Sequence, residues 1–145
     1  MLRAEEFREV IRNTPLVSID LLLRNPEGSL LLGERTNEPA KGLFFVPGGR
    51  IRKDEKIAAA YSRLLLTETG LSIPFAQARL FGVYEHFYET NALGDPAFGT
   101  HYVVLAYELR IGNDQPISLQ DQHSTVLWAP RFTDRIHPYN EAYFA

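Results

Sequence analysis

Residues 46–50 read VPGGR and are followed by IRKDE, so two adjacent glycines stand beside Arg50, Arg52 and Lys53, with Arg35 and Lys41 shortly before. Glycine lets a main chain approach a ligand closely, and arginine forms paired hydrogen bonds with phosphate oxygens. Taken alone, such a cluster reads as a solvated loop. On a chain of net charge −3 it also reads as a local anion pocket, suited to a small phosphate-bearing ligand rather than a polymer.

Glu68 is the second chemical signal. The residues after the glycines, KIAAAYSRLLLTETG, predict a helix. Stepping ~100° per residue from Ile57 gathers Tyr61, Leu64 and Leu65 into one core stripe, and Glu68 falls inside it. A bare buried carboxylate is too costly, and an anion near a helix C-terminus opposes the macrodipole. Gly70 reads as the C-cap that ends the helix. A cation is therefore expected near Glu68, either Arg63 in a structural ion pair or a divalent metal. Carboxylate and main-chain carbonyl are the hard oxygen donors that magnesium takes, so Glu68 and the glycine loop can be two halves of one metal–phosphate site.

Two histidines complete the inventory. Strict alternation through RLFGVYEHFYE places Gly82, Tyr84, His86 and Tyr88 on one face, opposite Phe81, Val83 and Phe87. A histidine among aromatics is by default a packing residue, but the neighbouring hydroxyls suit the wall of a ligand cleft. His123, in QDQHST, reads by itself as an exposed loop residue.

These side chains need a frame. Phe7, Val10 and Ile11 have helical spacing within residues 4–13, and Pro15 ends that segment. Residues 16–24 read as a strand, 25–28 as a turn and 29–35 as its hairpin partner. Residues 43–46 form a short buried strand entering the glycine loop. Residues 79–89 and 100–110 are the longest strands, 124–129 a further one, and the C-terminal stretch consists of short helical turns. In the first strand Leu16, Ser18, Asp20 and Leu22 share one face, with Val17, Ile19, Leu21 and Leu23 on the other. The expected fold is α+β, a mixed β-sheet packed between helices, in one domain over residues 1–145.

Composition narrows the classes. The chain of 145 residues is 45% hydrophobic and 23% charged, has no cysteine, and contains no apolar run near the ~18 residues of a membrane span. Its charged start, MLRAEEFREV, does not read as a signal peptide. A cytoplasmic protein with no nucleic-acid or membrane partner is expected.

Gly49, Glu55, Arg63 and the run Glu68-Thr69-Gly70-Leu71 resemble the Nudix box, G-x5-E-x7-R-E-U-x-E-E-x-G-U with U aliphatic. Leu64 and Thr67 stand where the box normally has glutamates. The GDP-mannose mannosyl hydrolases, also called GDP-mannose glycosyl hydrolases, carry this kind of gap. The segments TPLVSID, LLGERTN, FFVPGGR, EHFY, THYVVL, QDQH and NEAYF are similar to theirs, in order. The resemblance implies a Nudix fold and Mg2+-assisted hydrolysis of GDP-mannose, with GDP-glucose as a second substrate and Mn2+ as a substitute metal. The sugar C–O bond would break with inversion, yielding GDP and the free sugar. It further implies metal ligation by the Gly49 carbonyl, Glu68 and Gln122, with His123 as general base. Arg35, Arg50 and Tyr102 would hold the diphosphate or help its departure. Asp20 and His86 would line the substrate pocket, Phe7 and Tyr88 would stack on guanine, and Arg63 would orient Glu68. Homodimerisation is implied as well.

Two readings compete. A Nudix pyrophosphohydrolase would attack phosphorus of a nucleotide sugar or nucleoside triphosphate. A non-catalytic nucleotide-sugar sensor would account for the two missing glutamates, though it does not require Glu68, Gln122 and His123 together. Serine-hydrolase, P-loop and zinc-protease motifs are missing from the sequence.

Overall fold

A computed structural model describes residues 2–37, 41–118 and 123–144. The chain begins with helix α1 (Ala4–Asn13) and continues through β1 (Leu16–Arg24), β2 (Leu30–Arg35), β3 (Phe44–Phe45) and β4 (Gly48–Arg50). Helix α2 (Ile57–Thr69) follows, then β5 (Arg79–Tyr88), β6 (Thr100–Arg110) and β7 (His123–Ala129). Short 3-10 segments lie at Phe75–Gln77 and Pro138–Phe144. Helix α2 ends at Gly70, whose φ of 77° is left-handed and whose N–H donates to the Leu66 carbonyl.

All seven strands form one mixed sheet. Its spine is a parallel pair, β1 with β6, in unbroken register from Leu16 opposite Tyr102 to Arg24 opposite Arg110. Strand β5 continues antiparallel on the far side of β6. The expected β1–β2 hairpin is largely corrected, since the strands pair at their turn end, Arg24 opposite Leu30, before β2 turns to β7. The edge that β2 leaves on β1 is taken by β4, with Ser18, Ile19 and Asp20 opposite Arg50, Gly49 and Gly48. That antiparallel graft brings the glycine loop to the middle of the sheet. It was not legible locally, because a three-residue GGR strand lacks any hydrophobic alternation.

The alternation in β1 sorts two cores. Ile19, Leu21 and Leu23 pack with Ala60, Tyr61, Leu64 and Leu65 of α2. On the other face Leu22 joins Phe44, Val46, Ala106 and Tyr143, roofed by the C-terminal turns. Tyr61, Leu64 and Leu65 of the predicted stripe are buried, and the buried face of α2 begins at Ala60, with Ile57 41% exposed. One expectation for β5 fails. A register irregularity between Leu80 and Gly82 shifts the alternation, so Phe81 packs with Tyr84 and Tyr88 on the inner face. Val83 and Phe87 remain on the outer face, 57% and 58% exposed.

Candidate active site

The polar half of β1 opens into a cavity of about 480 Å3. Its walls include Ser18 and Asp20 of β1, Arg35 at the end of β2, and Gly48, Gly49 and Arg50 of β4. His86 and Tyr88 of β5 and Tyr102 and Val104 of β6 close the opposite side, with Phe7 of α1 at the rim. The volume is in the range of a nucleotide-sized ligand. Eight of the residues named from the sequence thus share one space: Phe7, Asp20, Arg35, Gly49, Arg50, His86, Tyr88 and Tyr102. Of the basic cluster, Arg35 and Arg50 line it, whereas Arg52, Lys53 and Lys41 are exposed side chains outside the lining.

The two glycines are needed for packing rather than for unusual torsion. A Cβ on Gly48 would overlap the Ile19 carbonyl of β1, and a Cβ on Gly49 would lie 2.6 Å from Leu64 Cδ2. Gly49 is therefore pressed between β1 and the α2 face that carries Leu64. One helical turn onward on that face is Glu68, 8% exposed, as its place in the core stripe predicted. Among the described residues its Oε1 is buried without a hydrogen bond.

Arg63 has a different principal partner from the one expected. Its Nε and Nη2 donate to both oxygens of Glu55, at 2.8 and 2.9 Å, and Nη2 also donates to the Arg50 carbonyl at 3.0 Å. Glu55 accepts the Arg52 N–H as well. The bond from Arg63 holds the Glu55 carboxyl down to about 2. This bidentate pair fastens α2 to the end of β4 and so fixes the Arg50 main chain at the cavity wall. Glu68 acts on Arg63 only through a weaker charge interaction.

Burial tunes the remaining groups. Asp20 is 6% exposed, and desolvation pushes its carboxyl up to about 7, against the opposing hydrogen bond from the Tyr143 hydroxyl and the charge of Arg35. The Tyr143 bond to Asp20 Oδ2 is 2.6 Å long. Burial, followed by the charge of His137, lowers His86 to about 4, so at neutral pH it is an uncharged imidazole. Its ring stacks on Tyr139 at 4.3 Å with 3° between planes. Burial, then the like charges of Arg52 and Arg63, also lowers Arg50, whose guanidinium sits 4.4 Å over the Phe7 ring. Burial raises the phenols of Tyr88 and Tyr102.

Tyr143 and Tyr139 were not singled out from the sequence. Tyr143 reaches Asp20 across 123 positions, and no local pattern announces such a contact. The position of His123 is that of the first residue of β7, paired with Arg35. Gln122 lies outside the described residues.

Residues 14–134 match the NUDIX domain. The chain belongs to the Nudix family. Over 140 residues it is 38% identical to the low-salt glycan biosynthesis protein Agl8 of Haloferax volcanii, covering 96% of this chain and 86% of that one. It is 39% identical over 70 residues to an ADP-ribose pyrophosphatase of Methanocaldococcus jannaschii, a match over 48% of this chain and 40% of the relative. A MutT NUDIX hydrolase from Burkholderia pseudomallei superposes with a TM-score of 0.70 at 21% identity, over 88% of this chain and 93% of that one. The sheet and helices described above are thus a Nudix fold, α+β as expected. At the two box positions that lack glutamate, Leu64 is buried against the space a Gly49 Cβ would fill, while Thr67 is exposed and donates its hydroxyl to the Arg63 carbonyl. Among the described residues no three His, Cys, Asp or Glu side chains gather as a metal-binding group. Glu68 and the Gly49 carbonyl are nonetheless hard oxygen donors on facing elements. They fit magnesium, which commonly keeps one or two carboxylates and takes its other ligands from water and phosphate.

Proposed function

We propose that this Nudix hydrolase cleaves GDP-mannose, and GDP-glucose as a second substrate, at the sugar C–O bond with inversion, releasing GDP. The observation that carries the reading is the composition of the cavity, where two arginines, a buried carboxyl, a neutral imidazole and the aromatic ring of Phe7 line one space. Arg35 and Arg50 pair with the diphosphate, and Tyr102 donates a hydrogen bond to it. Glu68, the Gly49 carbonyl and Gln122 hold a Mg2+, with Mn2+ as a substitute. When bound, the cation neutralises charge on the departing diphosphate. Leu64 in place of a glutamate suits this chemistry, because no water need be activated at phosphorus.

On the sugar side, Asp20 places a carboxylate where positive charge develops on the hexose ring. His86, held neutral and stacked on Tyr139, donates to or accepts from a sugar hydroxyl without competing for the diphosphate. His123 takes the proton from the attacking water; an ordinary histidine titrates near ~6.5, which suits that task at neutral pH. Phe7 and Tyr88 contact the base. Protomers pair as a homodimer, and exposed Val83 and Phe87 on the outer face of β5 offer apolar area for that pairing.

The likeness to an ADP-ribose pyrophosphatase favours a second reading, attack on phosphorus. Product analysis separates the main possibilities. Incubation with GDP-mannose and Mg2+ should yield GDP and mannose. GMP with mannose 1-phosphate would establish pyrophosphate cleavage instead, and no turnover across a panel of nucleotide sugars would favour a sensor.

A further inference from the structure

Helix α1 buries only Ile11, near its C-terminal end, yet its N-terminal half supplies part of the cavity rim. Something other than core packing must hold that half in place. Phe7 and Arg8 are neighbours that face different partners. The Phe7 ring lies under the Arg50 guanidinium at 4.4 Å. Arg8 reaches the β5–β6 connection, where its Nε and Nη2 both lie 2.7 Å from Asp95 Oδ2 and its guanidinium is 5.7 Å from the Phe98 ring.

The connection that receives Arg8 is built for rigidity. Asn91, 1% exposed, donates to the carbonyls of Asp95 and Phe98 at 2.8 Å each and accepts the N–H groups of Leu93 and Asp95. Asp95 Oδ1 in turn accepts the Ala97 N–H, leaving Oδ2 aimed at α1. Ala92 of the same connection lines the cavity, as Phe7 of α1 does. Two segments that contribute to the cavity lining are therefore joined by one ion pair.

We propose that Arg8 and Asp95 are positioning residues that latch α1 to the 89–99 connection, hold Phe7 against Arg50, and thereby set the nucleotide end of the cavity. The pair does little for global stability, because Arg8 is 42% and Asp95 19% exposed in their side chains and solvent screens the attraction. Its effect is on the placement of one ring. The inference rests on the proposed function only in requiring that the cavity take a nucleoside diphosphate.

The test is calorimetric titration of the full chain with GDP and Mg2+, alongside KM and kcat on GDP-mannose and a melting curve for each variant. Arg8→Asp should weaken GDP binding about five-fold, equivalent to about 1 kcal/mol, and raise KM while kcat holds. The exchanged pair Arg8→Asp with Asp95→Arg should restore binding to within about two-fold of wild type. In a Phe7→Ala background, Arg8→Asp should have no further effect. Unchanged binding in Arg8→Asp, loss without recovery in the exchanged pair, or full additivity with Phe7→Ala would each overturn the latch. If wild type binds GDP but releases no mannose, the reaction proposed above fails and the latch is still judged on binding. A wild type that binds no GDP overturns both.

Discussion

Asp20 shows how one residue serves a site at the expense of the fold. Its carboxyl titrates near 7 when folded, whereas an ordinary aspartate titrates at 3.8, because burial penalises the anion more than Tyr143 and Arg35 favour it. Between those values the native state binds more protons than the unfolded chain, so stability falls as pH rises from about 4 to about 7. Asn at this position mimics the protonated acid and keeps an oxygen for the Tyr143 hydroxyl. Asp20→Asn should therefore raise stability at pH 8 by about 2–4 kcal/mol and by much less at pH 4, read from urea unfolding at both pH values. Turnover should fall by at least about 100-fold. A variant no more stable than wild type at pH 8 would show that Asp20 is not strained by its burial.

At the scale of elements, the glycine strand is held from two sides, and the two glycines differ in what blocks a side chain. Gly48 abuts the Ile19 carbonyl, a backbone atom that cannot move without opening β1 from β4, whereas Gly49 meets the tip of Leu64. Gly49→Ala should cost about 1–3 kcal/mol in the wild-type background and less in a Leu64→Ala background, whereas Gly48→Ala should cost more and equally in both. Denaturant midpoints of both glycine variants in the two backgrounds check the order. The sequence made this helix legible, because the stripe that places Glu68 among Tyr61, Leu64 and Leu65 obeys a strong period and Gly70 marks its end. It did not disclose β4, whose pairing with β1 depends on residues 30 positions away rather than on its own composition. The irregularity that turns Phe81 inward is similarly silent, since a single extra residue in β5 leaves the hydrophobic pattern superficially intact.

For the molecule as a whole, the mixed sheet brings together side chains that are far apart in sequence. The parallel register of β1 with β6 sets Ser18 opposite Val104 and Asp20 opposite Ala106, the β5–β6 pairing sets His86 opposite Tyr102, and the C-terminal turn returns Tyr143 to Asp20. Resemblance picked out half of the cavity residues, while the partners that hold them, Tyr143, Tyr139, Arg8 and Asp95, are fixed by contacts between distant segments. No helix among the described residues is long and apolar enough to cross a membrane. The account's central claim is that this assembled cavity expels GDP from a hexose by breaking the C–O bond. Hydrolysis of GDP-mannose in water enriched in heavy oxygen measures it directly, with the label located by mass spectrometry and the anomer by proton NMR. The account predicts label in the mannose, released first as the β-anomer from the α-linked substrate. Label in a phosphate of the nucleotide or of the sugar product would contradict it.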